Sequence, residues 1–294
     1  MYGYFHDFGD GDYPYTDLAC ERRRAGTEIE GVDYKKEVAL TGRWERLRIS
    51  SECGARSIGR PKGIYDTLEL LRMDLLTEED RADATDELAR ELCYLLDMED
   101  AAPDRILVVG LGNPALTPDA IGPAAAAAVK PTLHISDGDR DFFCELECSE
   151  IAVTTPGVCS ASGMDSFTTV KGICDGIRPS AIIAIDSLAA RSAERLGTTV
   201  QLSSTGIHPG SGLGGKQRAI NKDSLGVPVI AIGVPTVIDA RMFWLDAQRG
   251  SDTITPPEGI RRSMFVCPKE IGEIVSAAAV IIGGAINQAF GLYC

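Results

Sequence analysis

The chain has few basic residues, few histidines and few aromatic residues. Its 29 Lys and Arg residues face 43 Asp and Glu residues, which gives a formal net charge of -14 over 294 residues. Binding to nucleic acid depends on a concentrated basic surface that contacts phosphates. The charge balance therefore predicts no direct nucleic-acid binding.

The sequence also has no metal-spaced cysteine cluster, secretory signal or internal repeat. Its nine cysteines are scattered, as expected for free thiols in a reducing compartment. The leader MYGYFHDFGDGDYPY lacks the apolar core of a secretory signal. The apolar run 274–290 contains Gly283, Gly284, Asn287 and Gln288, so it favours a packed helix over a membrane span. These features predict a soluble intracellular enzyme with no membrane partner.

The first candidate site residue is Asp119, in the string VVGLGNPALTPDAIGP at 108–123. The apolar run Ile106–Val109 predicts a buried strand, and Thr117 and Pro118 predict a helix start, with Asp119 in the first turn. The positive end of a helix dipole favours an ionised carboxylate. This suits a general base or a ligand, and it equally suits a helix-stabilising acid.

The second candidate is Asp186, in AIIAIDSLAARS at 181–192. We expect it to end a strand over Ala181–Ile185 and to cap a helix over Ser187–Leu196. Helix capping is the structural alternative for either aspartate alone. Two like charges at one sheet edge cost free energy, however, and such costs are typical of functional sites.

A third candidate is His208, in the glycine-rich loop Thr205–Lys216 that follows a predicted strand at Thr199–Leu202. Such a loop lets backbone approach a ligand closely. The other two histidines are His6, in the leader, and His134, in a predicted strand. A structural role for His208 remains the alternative.

Two nucleotide motifs match only in part. The segment 110–115 fits G-x-G-x-x-A, and Asp137 lies near the distance of a ribose-binding acid, but the helix is expected to start too late, at about Thr117. The segment 210–216 resembles a P-loop, but Gln217 replaces the serine or threonine that holds magnesium. A nucleotide-dependent oxidoreductase therefore stays a secondary hypothesis.

Long strings resemble the germination protease family of spore-forming bacteria. They cover nearly the whole chain, from about Tyr15 to Phe290, and include VVGLGNPALTPDAIGP, PGVCSASGMDSF, IIAIDSLAARSAERLGTTVQLSSTGIHPGSGLGGKQ, LGVPVIAIGVPTVIDA and MFVCPKEIGEIVSAAAVIIGGAINQAF. The resemblance implies an endopeptidase, made as a zymogen, that degrades small acid-soluble spore proteins at germination in the spore core. It also implies a homo-oligomer, a tetramer. The segment 241–265 looks shorter than in longer family members.

The resemblance places the family's two essential aspartates on Asp119 and Asp186. It implies an α/β fold with a mostly parallel sheet flanked by helices, like that of hydrogenase-maturation endopeptidases. The expected chemistry is acid-base hydrolysis by the two carboxylates, with no cofactor or metal. The alternative is metal-assisted hydrolysis with the same carboxylates as ligands and His208 as a third.

The resemblance also suggests how the chain matures. Residues 15–19, YTDLA, resemble the family's processing point, so we expect cleavage between Asp17 and Leu18. Residues 1–17 would then form a propeptide-like leader, and residues 18–294 a single protease domain. A leader with no role is the alternative.

Overall fold

Apolar strands rich in isoleucine, valine and alanine form the centre of the molecule. The computed structural model describes residues 29–209, 218–248 and 264–292. The strands are β1 (Val32–Val38), β2 (Arg43–Ile49), β3 (Gly63–Glu69), β4 (Arg105–Gly110), β5 (Glu150–Thr154), β6 (Ala181–Ala190), β7 (Thr199–Ser203), β8 (Val229–Asp239) and β9 (Phe265–Val266).

Helices pack on both faces of these strands. The α-helices are α1 (Glu52–Ile58), α2 (Glu78–Met98), α3 (Ile121–Ala128), α4 (Leu133–Gly138), α5 (Arg140–Glu145), α6 (Cys159–Ser162), α7 (Ser166–Ile177), α8 (Lys222–Leu225), α9 (Ala240–Ala247) and α10 (Ile271–Ala289). Short 3₁₀ helices occur at Met73–Leu75, Thr117–Asp119 and Ala193–Arg195.

The strands join in one nine-stranded mixed sheet with the order β1-β2-β3-β7-β8-β6-β4-β5, and β9 pairs with β8. The pairs β8–β6, β6–β4 and β4–β5 are parallel. The pairs β1–β2, β2–β3, β3–β7 and β7–β8 are antiparallel. The α/β class is confirmed, but the prediction of a mostly parallel sheet is wrong. For β1 and β2 the physical reason is the short connection 39–42, which only antiparallel strands allow, whereas the antiparallel pairs β3–β7 and β7–β8 form between strands that no short turn joins.

The longest helix, α2, has a well-defined start. Helix α2 begins after Thr77, whose hydroxyl oxygen accepts from the Asp80 backbone N–H at 3.1 Å while the Asp80 carboxylate accepts from the Thr77 N–H at 3.0 Å. This reciprocal capping box satisfies two backbone donors at the helix start.

Helix α10 is apolar and mainly buried. By length and composition it could cross a membrane, but 61% of its apolar window is buried within the molecule. It packs against α2 and α3, and a Cβ atom at Gly283 would lie 2.5 Å from the Cβ of Ala128. The close contact with α3 therefore requires glycine at position 283.

Two local predictions are wrong. Residues 187–190, expected to start a helix over Ser187–Leu196, continue strand β6, and only the single 3₁₀ turn Ala193–Arg195 follows. Pairing with β8 up to Ala190↔Ile238 overrides the helix propensity of the alanine-rich stretch. His134, expected in a strand, lies in α4.

A buried acid pair lies between the antiparallel strands and α2. Arg46 Nη1 donates to Asp66 Oδ2 at 3.2 Å and to Glu91 Oε2 at 2.7 Å, and its Nε donates to Glu37 at 2.8 Å from β1. Within the described residues, the other carboxylate oxygens of Asp66 and Glu91 are buried without a hydrogen-bond partner. Burial and the adjacent Glu91 raise the pKa of Asp66 to about 8.

This pair predicts a specific pH dependence of stability. Between the ordinary Asp pKa of about 4 and the raised value of about 8, the folded state binds the Asp66 proton more tightly than the unfolded state does. The free energy of unfolding should therefore fall as pH rises through this window. We expect Asp66→Asn to flatten this fall in urea titrations, and a change of the exposed Asp97 of α2, Asp97→Asn, to leave it unchanged. An equal slope in wild type and Asp66→Asn would contradict the assignment.

Candidate active site

Strand β6 carries Asp186 past the point where its neighbour β4 ends. The last β4 pair is Gly110↔Ile185, and the next β6 residue is Asp186. The chain leaves β4 through Leu111, whose N–H donates to the Ile185 carbonyl at 2.8 Å. Asp186 therefore lies inside the sheet with only β8 beside it as a paired strand.

The Asp186 carboxyl group is held in the interior by its strand. Asp186 is 8% exposed, and its Oδ1 accepts the backbone N–H of Ser187 at 2.8 Å. No helix begins at this position, because β6 continues to Ala190. The helix-capping alternative for Asp186 is therefore wrong.

Asp119 lies at the end of a tight turn that leads from β4 to α3. The Asn113 N–H donates to both the Asp119 side chain (Oδ2, 2.9 Å) and its carbonyl oxygen (3.0 Å). A Cβ atom at Gly112, where φ is +115°, would lie 2.1 Å from that carbonyl oxygen. Glycine is thus needed for the turn to close on Asp119. The Asp119 carboxylate accepts from this turn and does not cap α3.

The close packing of this turn also bears on the oxidoreductase hypothesis. A Cβ atom at Gly110 would lie 2.3 Å from the carbonyl oxygen of Gly122, at the start of α3. Gly110 therefore allows β4 to pack closely on α3, and Gly112 allows the turn to pack on the Asp119 carbonyl. In a dinucleotide fingerprint the second glycine, here Gly112, would instead let the backbone approach a pyrophosphate.

Asp119 and Asp186 influence each other's ionisation. Burial raises the pKa of Asp186 to about 7; the negative charge of Asp119 adds to this rise, and the Ser187 N–H opposes it. Burial also raises the pKa of Asp119, and the Asn113 N–H opposes that rise. Asp186 is thus the better-buried acid of an interacting pair, which titrates as a unit.

Both aspartates open on one cleft of about 530 Å³. His208 lines the same cleft, so the structure brings together the three residues that the sequence singled out. The wall also includes apolar residues such as Leu116 and Phe265. A concave, mainly apolar pocket with a few converging polar groups is typical of an active site.

His208 does not complete a metal-ligand set with the aspartates. Over 29–209, 218–248 and 264–292, no three His, Cys, Asp or Glu side chains are grouped to hold a metal ion.

Three segments named in the sequence predictions lie outside the described residues. They are the predicted cleavage point Asp17–Leu18, the P-loop-like residues 210–216 and most of the segment 241–265.

One cleft residue that the sequence patterns did not predict is Thr236, which is fully buried. Its hydroxyl donates to the carbonyl oxygen of Pro118 at 2.6 Å, next to Asp119. The signal that could have found it is Pro235, because a proline within a central strand marks a bulge or another irregularity.

Comparison with known proteins identifies the family. The family model described as germination protease matches residues 15–255. Germination proteases from Caldanaerobacter subterraneus subsp. tengcongensis and Priestia megaterium are 41% and 38% identical; each alignment covers 76% of this chain, and 69% and 63% of those proteins. The Clostridium perfringens germination protease is 32% identical, over 93% of this chain and 94% of that protein.

The chain thus spans about two thirds of the length of the first two relatives and nearly all of the third. The match to the family model covers most of the chain, and it confirms the predicted resemblance and the prediction of a peptide-bond hydrolase. The chain belongs to the germination protease family.

Proposed function

We propose that the protein is an aspartic-type endopeptidase that starts the degradation of small acid-soluble spore proteins at germination, in the spore core. The observation that carries the proposal is the pair of interacting carboxyl groups on one cleft, the buried Asp186 and the half-buried Asp119. The relatives named germination protease support the biological setting. In keeping with the family, we propose that the protein acts as a homo-oligomer, a tetramer.

The proposed mechanism divides acid and base roles between the two carboxyl groups. Asp186 is the more deeply buried and keeps its proton to about pH 7, so it protonates or polarises the oxygen of the scissile carbonyl. Asp119, stabilised by the Asn113 N–H, remains ionised and activates the attacking water. The pair then shares one proton in its active form.

We assign His208 to substrate binding at the cleft wall. His208 is exposed and lines the cleft. Within the described residues, it does not form a group of three metal-ligating side chains with the two aspartates. The role requires neither a metal nor a covalent intermediate.

We expect Asp119→Asn and Asp186→Asn each to reduce proteolysis of a small acid-soluble spore protein by about 10² to 10⁴-fold, the range that general acid-base catalysis supplies. An amide can act neither as the base nor as the acid. The measurement is kcat/KM, with the exposed Asp137→Asn as a matched control that should retain wild-type activity. Near-normal cleavage by either folded variant would refute the proposed roles.

In the same assay, complete loss of wild-type activity with a strong chelator would favour the metal-assisted alternative.

The pH profile provides an independent prediction. The active pair holds one proton, so activity should fall with a midpoint near pH 7 as Asp186 loses its proton, and should fall again at acid pH as Asp119 gains one. The log of kcat/KM plotted against pH in the wild type tests this expectation. A flat profile through pH 6 to 9 would show that Asp186 does not act as the acid.

We further propose that residues 1–17 restrain a zymogen, and that the mature domain comprises residues 18–294. A segment tethered to its own active site has a high effective concentration there, so self-processing can occur in an otherwise inactive chain. N-terminal sequencing after acidification and drying should therefore give a chain that begins at Leu18. The same treatment of Asp186→Asn should leave the leader uncut. A different new N-terminus in the wild type would disprove the proposed cleavage point.

A further inference from the structure

Strand β8 is irregular beside the two aspartates. The parallel register with β6 runs through Leu188↔Pro235 and resumes at Ala189↔Val237, so Thr236 has no partner on β6. Pro235 has no N–H to donate and lies in a central strand, where proline is tolerated at a bulge. Its carbonyl oxygen instead accepts from the Gly197 N–H at 2.9 Å.

The irregularity directs the Thr236 side chain across to the turn that holds Asp119. The side chain is 0% exposed, and its hydroxyl donates to the Pro118 carbonyl oxygen at 2.6 Å. Bulges next to active sites commonly redirect a side chain in this way. The contact links β8 directly to the 3₁₀ turn Thr117–Asp119.

Within the described residues, the hydrogen bonds that Asp119 itself makes all go to its own turn. The Asn113 N–H fixes its carboxylate and carbonyl oxygens, and Gly112 allows the close approach. Among the described residues, Thr236 supplies the side-chain hydrogen bond that ties this turn to another strand. That strand, β8, is also the paired neighbour of β6 at Asp186, where Asp186 faces Gly233.

We propose that Thr236 is a positioning residue, whose hydroxyl fixes the Thr117–Asp119 turn to β8 and thereby sets the separation of the Asp119 and Asp186 carboxyl groups. This inference rests on the proposed catalytic roles of the two aspartates. Thr236 touches neither reacting group and acts through the position of Asp119.

The test compares Thr236→Val, Thr236→Ser and Thr67→Val in the full chain. Valine keeps the shape of threonine and removes the donor, whereas serine keeps the donor. Thr67 is also 0% exposed in a strand, but it does not line the cleft, and within the described residues its hydroxyl has no hydrogen-bond partner. Thr67→Val therefore controls for the loss of a buried hydroxyl as such.

We expect Thr236→Val to lower kcat by about 10 to 100-fold, because a misplacement of about 1 Å costs that much, and to leave KM nearly unchanged. Thr236→Ser should recover most of the activity. If Asp119 moves away from Asp186, its charge raises the Asp186 pKa less, so the alkaline limb of the pH profile should move to lower pH in Thr236→Val.

The controls separate this inference from the proposed function. Activity in Asp119→Asn would defeat the proposed function itself. If Asp119→Asn is inactive but Thr236→Val has the same kcat and pH profile as Thr67→Val, the proposed function stands. That result would overturn the positioning role alone. If Thr236→Val does not fold, Thr236→Cys takes its place, because it has similar size and only a weak donor. Its recovery of wild-type kcat and pH profile would likewise overturn the role.

Discussion

The candidate site depends on a carboxyl group that the strand β6 places inside the sheet. Asp186 follows five consecutive β6 residues that are fully buried, and β6 continues beyond it for four more residues. The residue therefore cannot turn its side chain to solvent without breaking the central strand. Since a buried charge is costly, the group keeps its proton to about pH 7, and a second carboxylate, Asp119, faces the same cleft. In our proposal, the acidic and basic roles follow from this difference in burial.

A second buried acid shows why the cleft matters as much as the pKa. Asp66 has an even higher pKa, about 8, but it is enclosed between β2, β3 and α2 and is paired with Arg46. It does not line the cleft, so no substrate reaches it there. Perturbed pKa values alone would select both aspartates, whereas the cleft selects Asp186. The same desolvation thus affects stability at Asp66 and, in our proposal, catalysis at Asp186.

The sequence predicted the parts of the structure that are set by local patterns. Apolar β-branched runs marked the strand ending at Gly110, and the apolar run 274–290 marked the packed helix α10. The sequence also singled out Asp119, Asp186 and His208, which line one cleft. It could not predict that residues 187–190 remain extended, because the β8 partner that holds them lies more than forty residues away. The antiparallel half of the sheet, the Thr236 hydrogen bond and the burial of Asp186 are likewise set by contacts that local patterns do not encode.

The most direct measurement is a site-resolved titration of the Asp186 carboxyl carbon by NMR, in the wild type and in Asp119→Asn. The account predicts that Asp186 titrates near pH 7 in the wild type, and at a lower pH once the neighbouring negative charge is removed. An Asp186 pKa near the ordinary value of about 4 in the wild type, or one that Asp119→Asn leaves unchanged, would contradict an interacting carboxyl pair at the centre of this site.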